Sequence, residues 1–243
     1  MTSVVISQPM YFPWAGFLAH MALADVFIFL DDAQFSKGSY TNRIQVKLPG
    51  GTTWMSVPLV GKGAFQTIRD LHPAGDGWRA SHRALLAQSL RGRDQTAAAM
   101  TLFDAVMAGP HVPLCDRLIA SCETLARAMG VLPPVILRAS AMGVGGVSWG
   151  RVLHLVQAVG GTRYVTGHGA SDYLDHNAFE AAGIDVHYMD YAPLSWRQPH
   201  GAFTPYLTGL DLLASCTPEA ARDHLRPASI DWRMWRARKH FPT

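Results

Sequence analysis

The chain has 243 residues, 49% of them apolar and 16% charged, with a formal net charge of +3. That balance excludes a disordered tail, a fibrous protein or a coiled coil, and the length suits one large α/β domain. No uncharged apolar run reaches the roughly 18 to 20 residues of a membrane span, and no basic segment precedes an apolar stretch at the N-terminus, so a cytoplasmic globular protein is expected.

The opening segment is the most informative. Residues 2–7 (TSVVIS) form a β-branched run that predicts a buried strand, ended by Gln8-Pro9. An aromatic turn follows (Met10-Tyr11-Phe12-Pro13-Trp14-Ala15-Gly16), then helical spacing over residues 16–24. Residues 26–30 are apolar throughout, as in a strand covered on both faces, and stop at Asp31-Asp32. Strand, turn, helix and strand make a βαβ unit, whose ligands bind beyond the carboxyl ends of the strands. Gln8-Pro9 and Asp31-Asp32 both fall there, which predicts one crevice lined by both segments.

A polar loop with Gln34, Phe35, Lys37, Asn42 and Arg43 leads into a strand over 44–48. Pro49-Gly50-Gly51 predicts a hairpin turn, and 52–60 its alternating return strand. Residues 61–78 are glycine-rich and polar, a mobile loop by composition. Helical patterning dominates 78–103 and returns over 112–129, where Gly130 ends it. A second βαβ-like passage then appears. It comprises a strand at 135–138, a glycine-bearing loop at 140–148, a helix at 149–158 and a strand at 162–166. Gly167-His168-Gly169 follows, with a short helix at 177–182 and a strand at 184–189. Near the end, 208–214 reads as an amphipathic helix and 226–239 as a basic tail with Trp232 and Trp235. The expected fold is α/β, a Rossmann-like mostly parallel sheet flanked by helices, with a mainly helical middle and C-terminal portion. The whole of 1–243 reads as one domain, with sub-lobes 1–78 and 135–215 joined by helical 79–134.

Several clusters could carry chemistry. Tyr11 and Trp14 could wall a base or sugar that Gln8 fixes by hydrogen bonds, or could simply be core. Adjacent carboxylates on an extended chain point to opposite faces, so at most one of Asp31 and Asp32 can touch a given ligand, and which one stays open. Lys37, Asn42 and Arg43 resemble an anion clamp, a point charge beside a planar fork. Gly167 and Gly169 allow a close backbone approach around His168. The histidines show no metal-ligand spacing, and no nucleophile elbow, Walker A or G-x-G-x-x-G sequence is present. Cys115, Cys122 and Cys216 are odd in number and lack C-x-x-C spacing, as buried thiols would.

The run Gln8 to Phe17, the run Ala24 to Phe35 and the pair Asn42-Arg43 together resemble the WbqC-like protein family. Trp54-Met55-Ser56-Val57-Pro58, Tyr173-Leu174, Gly183-Ile184, Phe203-Thr204-Pro205-Tyr206-Leu207 and Asp211-Leu212-Leu213 extend the resemblance along most of the chain. Where the family usually has Lys-x-x-W-x-N-R-N, this sequence has Tyr40 for the aromatic and Ile44 for the second asparagine. The resemblance implies a bacterial cytoplasmic protein encoded among genes for O-antigen or other surface-glycan assembly, or in secondary-metabolite clusters. The opening is also similar, more distantly, to nucleotidyl transferases of the pantothenate-synthetase type, which form an acyl-adenylate that an amine attacks. Their H-x-G-H histidines have no counterpart at positions 11–16.

The expected activity is acyl or aminoacyl transfer to an amine of a sugar or other small metabolite. Catalytic candidates are His168 and Asp32 as base and Gln8 as a donor to the oxyanion. Tyr11, Trp14, Gln34, Lys37, Asn42, Arg43, Gly167, Gly169 and Tyr173 are the substrate-binding candidates, with no metal. No cofactor is demanded, and ATP enters only where the donor is activated on the protein. The expected partner is a small molecule, a nucleotide-sugar among the candidates. A charged tRNA touching the basic tail, or a scaffold role in a glycan-assembly complex, are the alternatives, and the oligomeric state stays open.

Overall fold

Strand β1 (Ser3–Ser7) buries Val4, Val5 and Ile6 in succession, and its side chains alternate between two cores. Val5 joins a large cluster with Phe27, Phe29, Leu18 and Leu125, while Val4 and Ile6 join a second one with Ile28, Leu155 and Phe179. A strand buried on both faces is the signature of a sheet with helices on both sides. The computed structural model describes residues 1–61, 65–108 and 113–240.

Helix α1 (Ala15–Ala22) returns the chain to β2 (Val26–Phe29), which runs parallel to β1. The hairpin of β3 (Arg43–Leu48) and β4 (Gly51–Ser56) stands apart as a two-stranded sheet. Three helices follow: α2 (Trp78–Ser89), α3 (Thr96–Met107) and α4 (Leu114–Ala128). The continuous pattern expected over 78–103 is broken after α2, where Gly92 takes a φ of 76°. The return strand is shorter than expected and ends at Ser56, and Val112 lies outside the described residues. Part of 61–78 is ordered by contact with the sheet end: the Ile68 N–H donates to the Ala33 carbonyl and the Arg69 N–H to the Asp31 carbonyl.

The second half supplies β5 (Val135–Arg138), α5 (Ser148–Ala158), β6 (Arg163–Thr166), α6 (His176–Ala181) and β7 (Asp185–Asp190). After α7 (Gly209–Ser215) and α8 (Pro218–Asp223), β8 (Ala228–Asp231) pairs antiparallel to β7. The six-stranded sheet has the order β5-β2-β1-β6-β7-β8. This is a Rossmann-like α/β fold. The chain winds outward from β1 through β2 to β5, then returns to lay β6 against the other side of β1. The strand order therefore reverses between β1 and β6, where the crevice of such sheets opens.

The basic tail becomes α9 (Trp232–His240), folded onto β7 and β8. Trp232 stacks on His176 and Trp235 on Tyr188, while Arg233 pairs with Glu180 and Arg238 with Asp190. The aromatics interleaved with its charges are thus occupied in packing. Among the described residues, no helix is long and apolar enough to cross a membrane.

On the other face a buried ion pair ties α7 to the turn after α2. Arg93 Nη2 lies 2.6 Å from Asp211 Oδ2, and Asp211 Oδ1 accepts from the Trp196 indole N–H at 2.7 Å. Asp211→Ala leaves a buried guanidinium without its counter-ion, so urea unfolding should show a loss of about 3 to 5 kcal/mol.

Candidate functional site

The turn after β1 is held in a strained shape. Phe12 adopts a φ of 43°, a left-handed conformation that bulky side chains avoid. Its N–H donates to Ser121 Oγ at 3.0 Å from α4, and its carbonyl accepts from Thr208 Oγ1 at 2.9 Å. Gly209 lets the second clamp approach, since a Cβ there would stand 2.8 Å from the Pro13 carbonyl oxygen. The turn delivers Trp14 directly over Gly16, where a Cβ would fall 2.1 Å from the indole ring.

Between β1 and β6 lies a crevice of about 400 Å³. Ser7, Met10, Trp14 and His20 line it from the first βαβ unit; Thr166, Gly167, Gly169 and Tyr173 line it from β6 and the turn beyond. His20 is buried in α1, and its Nε2–H donates to the Val165 carbonyl at 3.1 Å. A carbonyl only accepts, so the ring is held as the Nε2–H tautomer with Nδ1 as the acceptor. Burial lowers its pKa from 6.5 to about 4, against the opposing effect of the Val165 bond, and keeps it neutral at physiological pH. A second cavity, of about 500 Å³, adjoins at the ends of β2 and the start of α5, lined by Leu30, Ala33, Gln34, Val147, Ser148, Arg151 and Val152. Tyr173 lines both. The single crevice expected from the sequence is thus two neighbouring cavities. A further cleft, about 550 Å³ along Met21 to Ala24 and Gly130 to Pro134, opens at the opposite edge of the sheet, away from the strands' carboxyl ends.

Several expected site residues are engaged elsewhere. Tyr11 is 0% exposed and donates its hydroxyl to His82 Nδ1 at 2.9 Å, so it is core and walls no ligand. Asp31 is buried, accepting from the Ser140 N–H at 3.0 Å and hydroxyl at 2.6 Å. Asp32 holds Arg151 through both carboxylate oxygens, at 2.9 and 2.5 Å, which removes it as a free base. The two carboxylates do diverge. The Asn42 amide donates to the Val57 carbonyl, and the Arg43 guanidinium lies over Trp54 and bonds the Gly38 carbonyl. Lys37 is exposed, and neither it nor Asn42 nor Arg43 lines the two cavities, so the anion clamp is not assembled there. Gln8 is half-buried just past β1, and its amide has no hydrogen bond among the described residues. His168 is exposed between the two crevice glycines, with Nε2–H donating to the Met189 carbonyl at 2.9 Å. Trp14, Gln34, Gly167, Gly169 and Tyr173 stand at the cavities.

Sequence reasoning missed His20 and Arg151. The signal for His20 was present: it is the one titratable side chain in an otherwise apolar helix. Arg151 carried none, because its partner lies 119 positions away. Cys115 and Cys122 are buried thiols pushed up to about 12 by desolvation, unsuited to act as thiolates. No three His, Cys, Asp or Glu side chains gather as a metal-binding group among the described residues.

The model of the WbqC-like protein family matches residues 8–223. The chain belongs to this family. It is also 31% identical, over 233 residues, to the uncharacterized protein Rv1507c of Mycobacterium tuberculosis, covering 93% of this chain and 98% of that protein. No solved structure matches it. The match begins at Gln8 and contains every residue lining the second cavity and all those lining the crevice except Ile6 and Ser7.

Two outcomes follow from the geometry. Gly16→Ala should push Trp14 off the turn and cost about 1 to 3 kcal/mol, read as a lower urea midpoint and altered tryptophan fluorescence. His20 and His82 are both lowered to about 4 by burial, below the 6.5 of an unfolded histidine. The unfolded chain therefore binds more protons between these values. Stability is full above pH 6.5 and falls towards pH 4, by about 3 kcal/mol for each buried ring. His20→Gln, which keeps a donor for Val165, should flatten that fall in urea titrations at pH 7 and pH 4.5.

Proposed function

We propose that the chain transfers an acyl or aminoacyl group to the amine of a sugar or other small metabolite, in the crevice between β1 and β6. One juxtaposition carries this reading: a neutral imidazole with its acceptor nitrogen defined by the Val165 bond lies in the same crevice as the Gly167–Gly169 turn. That turn opens a short 3₁₀ helix (His168–Asp172), whose first N–H groups have no preceding helical carbonyl to bond.

In this reaction the amine nitrogen attacks the carbonyl carbon of a donor already activated as a thioester, phosphate anhydride or ester. The C–N bond forms, and the C–S or C–O bond breaks with its electron pair leaving on the departing group. The surplus proton of the amine passes to Nδ1 of His20 and then to the leaving group or solvent. In this reading the N–H groups of the turn meet the developing oxyanion, and Gln8, which lines neither cavity, takes no part. His168 belongs to the same turn and is the alternative acceptor. The proposed setting is surface-glycan or secondary-metabolite assembly, as the family resemblance implies, with an amino sugar as acceptor. ATP is the cosubstrate where the donor is activated on this protein.

The test is N-acylation followed by mass spectrometry, with amino sugars as acceptors and acyl thioesters, acyl phosphates, free acids with ATP, and charged tRNA as donors. His20→Gln should lower turnover by about 100-fold or more while the protein remains folded. No acylated amine with any donor would overturn the reading, and unchanged turnover in that variant would remove His20 as its base.

A further inference from the structure

The cavity of about 500 Å³ beside the crevice is separate from the groups assigned above, yet opens at the same sheet edge. Its walls are hydrocarbon on three sides: Leu30 and Ala33 after β2, Val152 in α5, and Val147 in the loop before that helix. The one charged side chain lining it is Arg151, and that charge is cancelled in place. Asp32 takes its Nη1 and Nη2, and the Val144 carbonyl accepts from Nε at 3.2 Å. The site therefore offers no net charge to attract a phosphate or carboxylate. Gln34 and Ser148 supply neutral polar groups instead. Gly146, at a φ of 119°, lets the loop close on α5, since a Cβ there would stand 3.1 Å from the Arg151 Cα.

Tyr173 separates this cavity from the crevice and is part of the wall of both. It follows the Gly167–Gly169 turn, where its backbone N–H donates to the Ala170 carbonyl, while its hydroxyl makes no hydrogen bond among the described residues, so the ring is not committed to the framework. A group transfer needs two reactants with their reacting atoms about 3 Å apart. Two cavities divided by one side chain meet that requirement.

We infer that the second cavity is the donor subsite, taking the uncharged hydrocarbon part of an acyl group, and that the donor and the amine meet across Tyr173. This rests on the transferase reading for the meeting of the two reactants, but the subsite itself is a statement about binding. The donor's carbonyl end emerges past Tyr173 towards the oxyanion donors of the crevice. Its chain lies between Ala33, Val147 and Val152. Tyr173 thereby sets which acyl groups fit.

The probe is a series of N-acetylcysteamine thioesters carrying acetyl, butyryl, hexanoyl and octanoyl groups, with affinity measured by ligand-observed NMR and calorimetry. Each methylene buried should tighten binding roughly three- to fourfold until the cavity is full. Ala33→Phe, which fills the cavity, should abolish the dependence on chain length. Val147→Asp changes a position that is 83% exposed and is safe for folding. It should weaken the octanoyl thioester by tenfold or more while leaving the acetyl thioester nearly unaffected. Affinity that is flat with chain length in the unaltered protein, or a dependence that survives both substitutions, would overturn the subsite. His20→Gln separates the two ideas. Normal turnover in it removes His20 as the base, whereas no acylated amine with any donor, with the chain-length dependence intact, sinks the transferase reading and leaves the subsite standing. Lost turnover with a flat series sinks the subsite alone.

Discussion

The turn at Phe12 is the constraint on which the candidate site depends. A phenylalanine held at positive φ would relax unless its backbone were clamped, and both clamps come from far along the chain. Ser121 from α4 takes the N–H, and Thr208 at the start of α7 gives its hydroxyl to the carbonyl. Together they end β1, carry Trp14 over Gly16 and start α1 so that His20 comes to rest against β6. The helical middle of the protein and the segment before α7 therefore act as the mould for a crevice formed mainly by the first βαβ unit and β6.

The charges at the sheet's edge follow a related logic. A carboxylate at the end of a buried parallel strand is expensive to leave without partners. Asp31 meets the start of the segment after β5, and Asp32 meets α5. Both join the first βαβ unit to the second. Their engagement leaves the chemistry of the two cavities to neutral groups: an imidazole, hydroxyls, amides and backbone N–H. Such groups suit recognition of neutral polar groups better than capture of a free anion.

The alternation of elements was legible because it rests on local periodicity. Consecutive apolar residues at 4–6 and 26–29 mark strands covered on both faces, and glycine or proline punctuates almost every boundary. β8 and the break between α2 and α3 were not legible. β8 (Ala228–Asp231) has Ile230 as its one large apolar residue and so shows no apolar run, and Gly92 interrupts a pattern whose apolar spacing barely changes. Trp14, Gly167, Gly169 and Tyr173 were found as cavity residues because strand ends in such a sheet converge on one edge.

By itself the sequence determined the fold class, the family and the edge of the sheet at which the two cavities open. Those depend on short-range patterns of side-chain polarity, which the chain carries wherever it goes. Only the tertiary structure decided which polar groups remain for chemistry. Tyr11, Asp31, Asp32, Asn42 and Arg43 looked as available as Gln8 or Tyr173 until the fold supplied His82, Ser140, Arg151, Val57 and Trp54 as their partners. His20 gained its defined tautomer from Val165, 145 positions away. A hydrogen bond is satisfied by whatever lies within about 3 Å, and neighbours at that range are set by the packing of the whole chain.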